Sequence, residues 1–186
     1  MQTQLQFQPI EQIETEVLVV LAFDREGGEE TPSARTADRL TGGWIGEIRA
    51  AREFTGAPLE TATLHRPAGL KARRLLVAGA GKPEKFDSAE LRTLVGAVVR
   101  ALKSRNARHV SLVLEDPFAS LEFVSAAVEG AILGHYEPDQ YITDPKKNDK
   151  AVDTFTVVVP GGDAALASAF ETGRIVAESQ NFTRDL

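Results

Sequence analysis

The chain has 186 residues, 42% of them hydrophobic and 26% charged, with 21 Lys plus Arg against 27 Asp plus Glu for a formal net charge of -6. That is one ordinary domain with enough apolar content for a core, which excludes a disordered chain or a fibrous repeat, and its acidity gives no global attraction for nucleic acid or anionic lipid. The absence of cysteine excludes disulfides, thiolate metal sites and cysteine nucleophiles, and it suits a reducing compartment, so a cytoplasmic location is expected.

Leu5 and Phe7 alternate with Gln4, Gln6 and Gln8, the pattern of an edge strand with one wet face. Val17 to Leu21 is an unbroken apolar, β-branched run, expected of a central strand covered on both faces. Thr31-Pro32 precedes a short helix over Ala34 to Leu40, and Thr41-Gly42-Gly43-Trp44-Ile45-Gly46 reads as a flexible loop anchored by the only tryptophan. The more polar Leu59 to Leu64 predicts a strand near an edge or in a hairpin, and Arg74 to Ala78 a further buried strand. Asp87 and Glu90 resemble a capping box, followed by the stripe Leu91, Leu94, Val95, Val98 and Leu102, which predicts a helix. Val110 to Leu114 is the next buried run. Ser120 then caps a helix with Leu121, Val124, Val128 and Ile132 facing the core and Gly134 ending it. After the polar loop Asp144 to Lys150, Phe155 to Val159 predicts a last buried strand, and Asp163, behind Gly161-Gly162, caps a helix running to Leu186. Strands alternating with helices give an α/β class, and the edge strand and hairpin make its sheet mixed and about six-stranded.

Chemistry-bearing patterns are sparse. His65, His109 and His135 stand far apart and form no ligand pair, and no nucleophile elbow occurs, so no catalytic or metal residue is assigned. The one phosphate-loop candidate is Gly79, Gly81 and Lys82, placed after a buried strand and before a helix. Glu84 stands where the dinucleotide fingerprint needs a third glycine, and Pro83 stands where the Walker loop needs Ser or Thr. A tight turn competes with an anion site there. A basic face for nucleic acid would rest on Lys71, Arg73, Arg74 and Lys82, or on Arg100, Lys103, Arg105 and Arg108, and is not the favoured reading.

The order and spacing of several segments resembles the N-terminal half of the leucyl (cytosol) aminopeptidases: Thr15 to Val20, Gly43-Trp44-Ile45-Gly46-Glu47-Ile48, Glu53-Phe54-Thr55-Gly56, Arg74 to Lys82, Phe86-Asp87, and Glu129-Gly130-Ala131-Ile132-Leu133-Gly134-His135-Tyr136 leading to Asp139-Gln140-Tyr141. Thr183-Arg184-Asp185-Leu186 looks like the start of that family's Arg-Asp-Leu-x-Asn segment. The resemblance implies a macro-domain-like, three-layer α/β/α sandwich over residues 1–160, and a helix over 161–186 leading to an absent catalytic domain. That domain would hold two divalent metal ions, zinc or manganese, and release N-terminal amino acids from peptides. The implied role of this part is non-catalytic: subunit assembly, as in a homo-hexamer, and access to the active sites, with the catalytic domain and other subunits as partners and no membrane or nucleic acid. The alternative is a macro-like domain that binds a nucleotide or ADP-ribose-type phosphate ligand.

Overall fold

The computed structural model describes residues 1–24, 30–137 and 151–186. Six strands form one sheet: β1 (Gln2–Gln6), β2 (Val17–Ala22), β3 (Thr61–His65), β4 (Arg74–Gly79), β5 (His109–Val113) and β6 (Thr154–Val158), in the order β1-β6-β5-β2-β4-β3. All neighbours are parallel except β3 and β4, an antiparallel pair, so the sheet is mixed. The loop expected at Asp144 to Lys150 lies outside the described residues.

Helices cover both faces. Helices α1 (Pro32–Leu40) and α2 (Trp44–Ala50) lie on one side, against Leu18, Val20, Leu75 and Val77. On the other, α3 (Ser88–Ser104), α4 (Leu121–His135) and α5 (Ala165–Asp185) pack over Val19, Leu21, Leu112, Phe155 and Val157. Alternate residues of β2, β4, β5 and β6 feed the two cores, which is why the predicted buried strands are continuous apolar runs, whereas the edge strands β1 and β3 each reach only one core. All six residues of β2 are buried.

Local chemistry sets most element starts. Thr31 Oγ1 accepts from the Ala34 amide and donates to the Leu21 carbonyl, tying α1 to the end of β2. Asp87 Oδ1 accepts from the Glu90 amide at 2.9 Å, and the predicted stripe of α3 is buried throughout. Asp163 Oδ1 accepts from the Ala165 amide at 2.8 Å, so its carboxylate caps α5 from just outside the helix.

Five expectations change. The segment after Gly43 is helix α2, not a flexible loop: Asp38, on α1, accepts from the Ile45 and Gly46 amides at 2.7 and 3.1 Å and caps it from a distance. Leu121 is 54% exposed, because Phe123 takes the inward place in the first turn of α4, against Phe86 and Phe118. Gly134 does not end α4; it lets the helix pass close to Gly96 of α3. Phe7 falls outside β1 and lies against Gly162, and Leu59 precedes β3 at a positive φ, half exposed.

Candidate functional site

The turn at the carboxyl end of β4 is where an open α/β sheet could take an anion on free backbone amides. Its amides are engaged within the chain. The Gly79 amide donates to the Glu60 carbonyl at 2.7 Å, Ala80 to Ala22 at 2.9 Å, and Gly81 to Gly56 at 2.9 Å. Pro83 has no amide, Lys82 is exposed, and a single 3-10 turn over Pro83–Lys85 separates the glycines from the expected helix, α3, whose cap is Asp87. Gly79, Gly81 and Lys82 therefore sit together as sequence places them, but as a turn closed by the loop at 55–60.

Two other turns also use donors within the chain. At the amino end of α1 the Glu115 carboxylate accepts from the amide and hydroxyl of Ser33; burial outweighs those bonds and the charge of Arg35, and its pKa stays above the ordinary value. At Gly161-Gly162 the Gly162 amide donates to Val159. The opposite, amino edge of the sheet carries a hub that sequence reading missed. Glu16 accepts from Arg74 Nη2 and from the Arg108 amide, each at 2.6 Å.

The first basic set does not form a single face, and members of both sets are paired with acids. Lys71, Arg73 and Arg74 lie at the amino end of β4 and Lys82 beyond its carboxyl end, while Arg74 is paired with Glu16 and Lys71 with Glu14. Of the second set, Lys103 pairs with Glu137 at 2.8 Å and Arg108 with Asp153 at 3.4 Å. His65 ends β3, His109 begins β5 and His135 ends α4. Among the described residues no group of three or more His, Asp or Glu could hold a metal ion, and no helix is long and apolar enough to cross a membrane.

What the fold presents outward is the free side of α5. Leu166, Phe170, Gly173 and Ala177 face the core, whereas Ile175 and Phe182 are 55% and 65% exposed, with Val176 beside them. Seven residues separate Ile175 and Phe182, two helical turns, so they share one face.

The profile of the cytosol aminopeptidase family, N-terminal domain, matches residues 19–145. This chain belongs to that family. A probable cytosol aminopeptidase of Solibacter usitatus is 41% identical over 191 residues, covering 100% of this chain and 35% of its own length. A tomato leucine aminopeptidase point mutant superposes with a TM-score of 0.75 at 18% identity, over 96% of this chain and 36% of that one. A Trypanosoma brucei macrodomain solved with ADP-ribose gives 0.59 at 15% identity, over 91% of this chain and 68% of that one. These two likenesses establish a shared fold. The chain thus spans about a third of the length of the relative that it matches.

In this cytosol aminopeptidase N-terminal domain, a cavity of about 370 Å³ lies beside the last turns of α5, lined by Met1, Lys103, Ile132, His135, Tyr136 and Asn181 among others. Lys103 Nζ donates to the His135 carbonyl at 3.3 Å, and Asn181 Nδ2 to that of Ile132 at 3.4 Å. His135 Nε2 and Asn181 Oδ1 are buried without a hydrogen-bond partner among the described residues. Burial, and then the charge of Lys103, push the His135 pKa down from 6.5 to about 4. Between those values the unfolded chain holds a proton that the folded one lacks. Stability should therefore be full above pH 6.5 and fall as pH drops towards 4. The loss should reach about 1–2 kcal/mol, since water reaches part of the ring. Urea midpoints measured across that window should show the slope, and His135→Gln should remove it; a wild-type midpoint indifferent to pH there would contradict the assignment.

Proposed function

We propose that this chain is a non-catalytic module of a leucyl-type metalloaminopeptidase, serving subunit assembly and access to active sites carried by the rest of the polypeptide. The observation that carries this reading is the apolar face of α5, where Ile175 and Phe182 stand in water on a helix whose other side is packed. Exposed apolar side chains grouped on one face mark an interaction surface. The proposed partners are the catalytic part of the same polypeptide, which in this reading holds two divalent metals, zinc or manganese, and neighbouring subunits of a cytoplasmic homo-oligomer. The family match supports the parent assignment. The phosphate-ligand alternative has less support, because the amides of Gly79, Ala80 and Gly81 are already engaged.

The 186-residue chain given zinc or manganese should release no aminoacyl chromophore; metal-dependent release that follows the chain through purification would overturn the non-catalytic role. In the complete aminopeptidase, Ile175→Asp with Phe182→Asp should lower the assembly mass seen by light scattering. The same pair should leave the urea midpoint of the 186-residue chain within about 0.5 kcal/mol of wild type, as exposed sites do. An unchanged assembly would refute the docking role of α5.

A further inference from the structure

Three successive amides, those of Thr55, Gly56 and Ala57, converge on one oxygen, Glu60 Oε2, at 2.9, 2.9 and 3.1 Å, and the Thr55 hydroxyl adds a fourth donor at 2.9 Å. Gly56 has φ +88, which turns consecutive N–H groups to the same side and forms an anion-binding concavity. We infer that residues 55–57 form an oxyanion site for a carboxylate or phosphate oxygen, and that Glu60 fills it as an internal ligand, latching the 55–60 loop over the carboxyl end of β4.

The latch acts on the turn described above. With the loop in place, Gly56 accepts from the Gly81 amide, Glu60 accepts from the Gly79 amide, and the Leu59 amide donates to Gly79. The approach leaves no room for side chains: a Cβ on Gly79 would strike the Ala57 carbonyl, and one on Gly81 would come within 2.8 Å of the Pro58 ring. Arg49 holds the other end of the loop, donating to the carbonyls of Thr55 and Phe23 at 2.8 and 2.9 Å while its guanidinium lies over Phe54. Glu60 is thus the only carboxylate among the described residues bonded to these amides, and it covers the strand end where open α/β sheets take ligands.

Removing the internal ligand should leave a vacant site that a small carboxylate can enter. In Glu60→Ala, amide exchange at Thr55 to Ala57, Gly79 and Gly81 should rise by about tenfold, the equivalent of one net charged hydrogen bond, while Leu75 to Val77 stay protected. Sodium formate should restore protection and raise the melting temperature of Glu60→Ala in a saturable manner, with no such response in wild type or with sodium chloride at equal ionic strength. Inorganic phosphate in place of formate tests the second oxyanion class, and a saturable response to either anion supports the site. Glu60→Gln, which keeps an oxygen in place, should show a smaller rise in exchange and no formate response. If Glu60→Ala does not fold, the exchange of Glu60→Gln decides: wild-type protection at Gly79 and Gly81 with unchanged melting overturns the latch. The inference is equally overturned if formate and phosphate both act on Glu60→Ala only as chloride does, or if that variant exchanges as wild type does.

Discussion

Gly130→Ala is expected to destabilise this domain by about 2 kcal/mol, although alanine is the better helix former. A Cβ at Gly130 would be driven into the backbone carbonyl of Arg92 on α3, and the next glycine on that face, Gly134, would meet Gly96 O at 2.5 Å. A carbonyl within a helix cannot rotate away, so α3 and α4 would have to separate along an interface that carries much of the larger core. Overpacking of this kind costs about 1–3 kcal/mol, and more where backbone is struck, against about 1 kcal/mol gained from helix propensity. For a domain of this size the net loss corresponds to a fall of about 4–8 °C in melting temperature. Gly46→Ala supplies the opposite sign. Its Cβ meets only Asp38 Oδ2 at 3.8 Å, so the propensity gain should survive as about 0.5–1 kcal/mol of stabilisation. Chemical denaturation of both variants decides the matter, and a Gly130→Ala variant as stable as wild type would show that the helices yield more easily than their geometry suggests.

Glu16→Ala is expected to cost about 2–3 kcal/mol, the second large effect. The carboxylate joins the starts of three strands: Glu16 immediately precedes β2, binds the Arg74 guanidinium at the head of β4, and accepts from the amides of Arg108 and His109 at the head of β5. Its side chain is 21% exposed and that of Arg74 15%, which places the pair between surface bridges worth under about 1 kcal/mol and buried ones whose rupture costs about 3–5. Burial by itself would raise the Glu16 pKa; the Arg108 amide, the Arg74 charge and the His109 amide outweigh it and hold the pKa below the ordinary glutamate value. A depressed folded-state pKa means that this contribution is complete above the ordinary glutamate range and is lost as pH falls through the folded value. Urea midpoints from neutral to acidic pH should therefore show a larger wild-type loss than Glu16→Ala shows, with Glu16→Gln between them at neutral pH because it keeps an acceptor for the Arg108 amide. Parallel curves for wild type and Glu16→Ala would remove the hub from the account of acid stability.

Much of the architecture was legible along the chain because its causes are local. Val17 to Leu21, Arg74 to Ala78, Val110 to Leu114 and Phe155 to Val159 are apolar on both alternations, which only a strand covered on two faces requires. Asp87 and Glu90 stand three residues apart, as a cap that satisfies the first free amides of a helix must. The segment motifs from Thr15 to Tyr136 carried the family resemblance, and the profile match over residues 19–145 agrees with it.

Tertiary structure decided what depends on partners distant in sequence. Helix α2 starts where it does because Asp38, seven residues before Ile45, reaches back from a different helix, so a reading that looks for a cap immediately before the helix finds only glycines. Gly134 looks like a helix end, yet its role is set by Gly96 across the α3–α4 contact; a glycine that permits positive φ and one that permits close approach are the same letter. The same ambiguity hid the carboxylates. Glu16, Glu60 and Glu115 are unremarkable acidic residues in the sequence, and nothing near them specifies that each will accept backbone amides, because those amides are aimed only once strands, loops and helices have packed. Composition and periodicity determined that this chain is an α/β domain with a covered sheet; packing alone determined that, among the described residues, the amides of Gly79 to Gly81 and of Thr55 to Ala57 are taken up by the chain's own backbone and by Glu60.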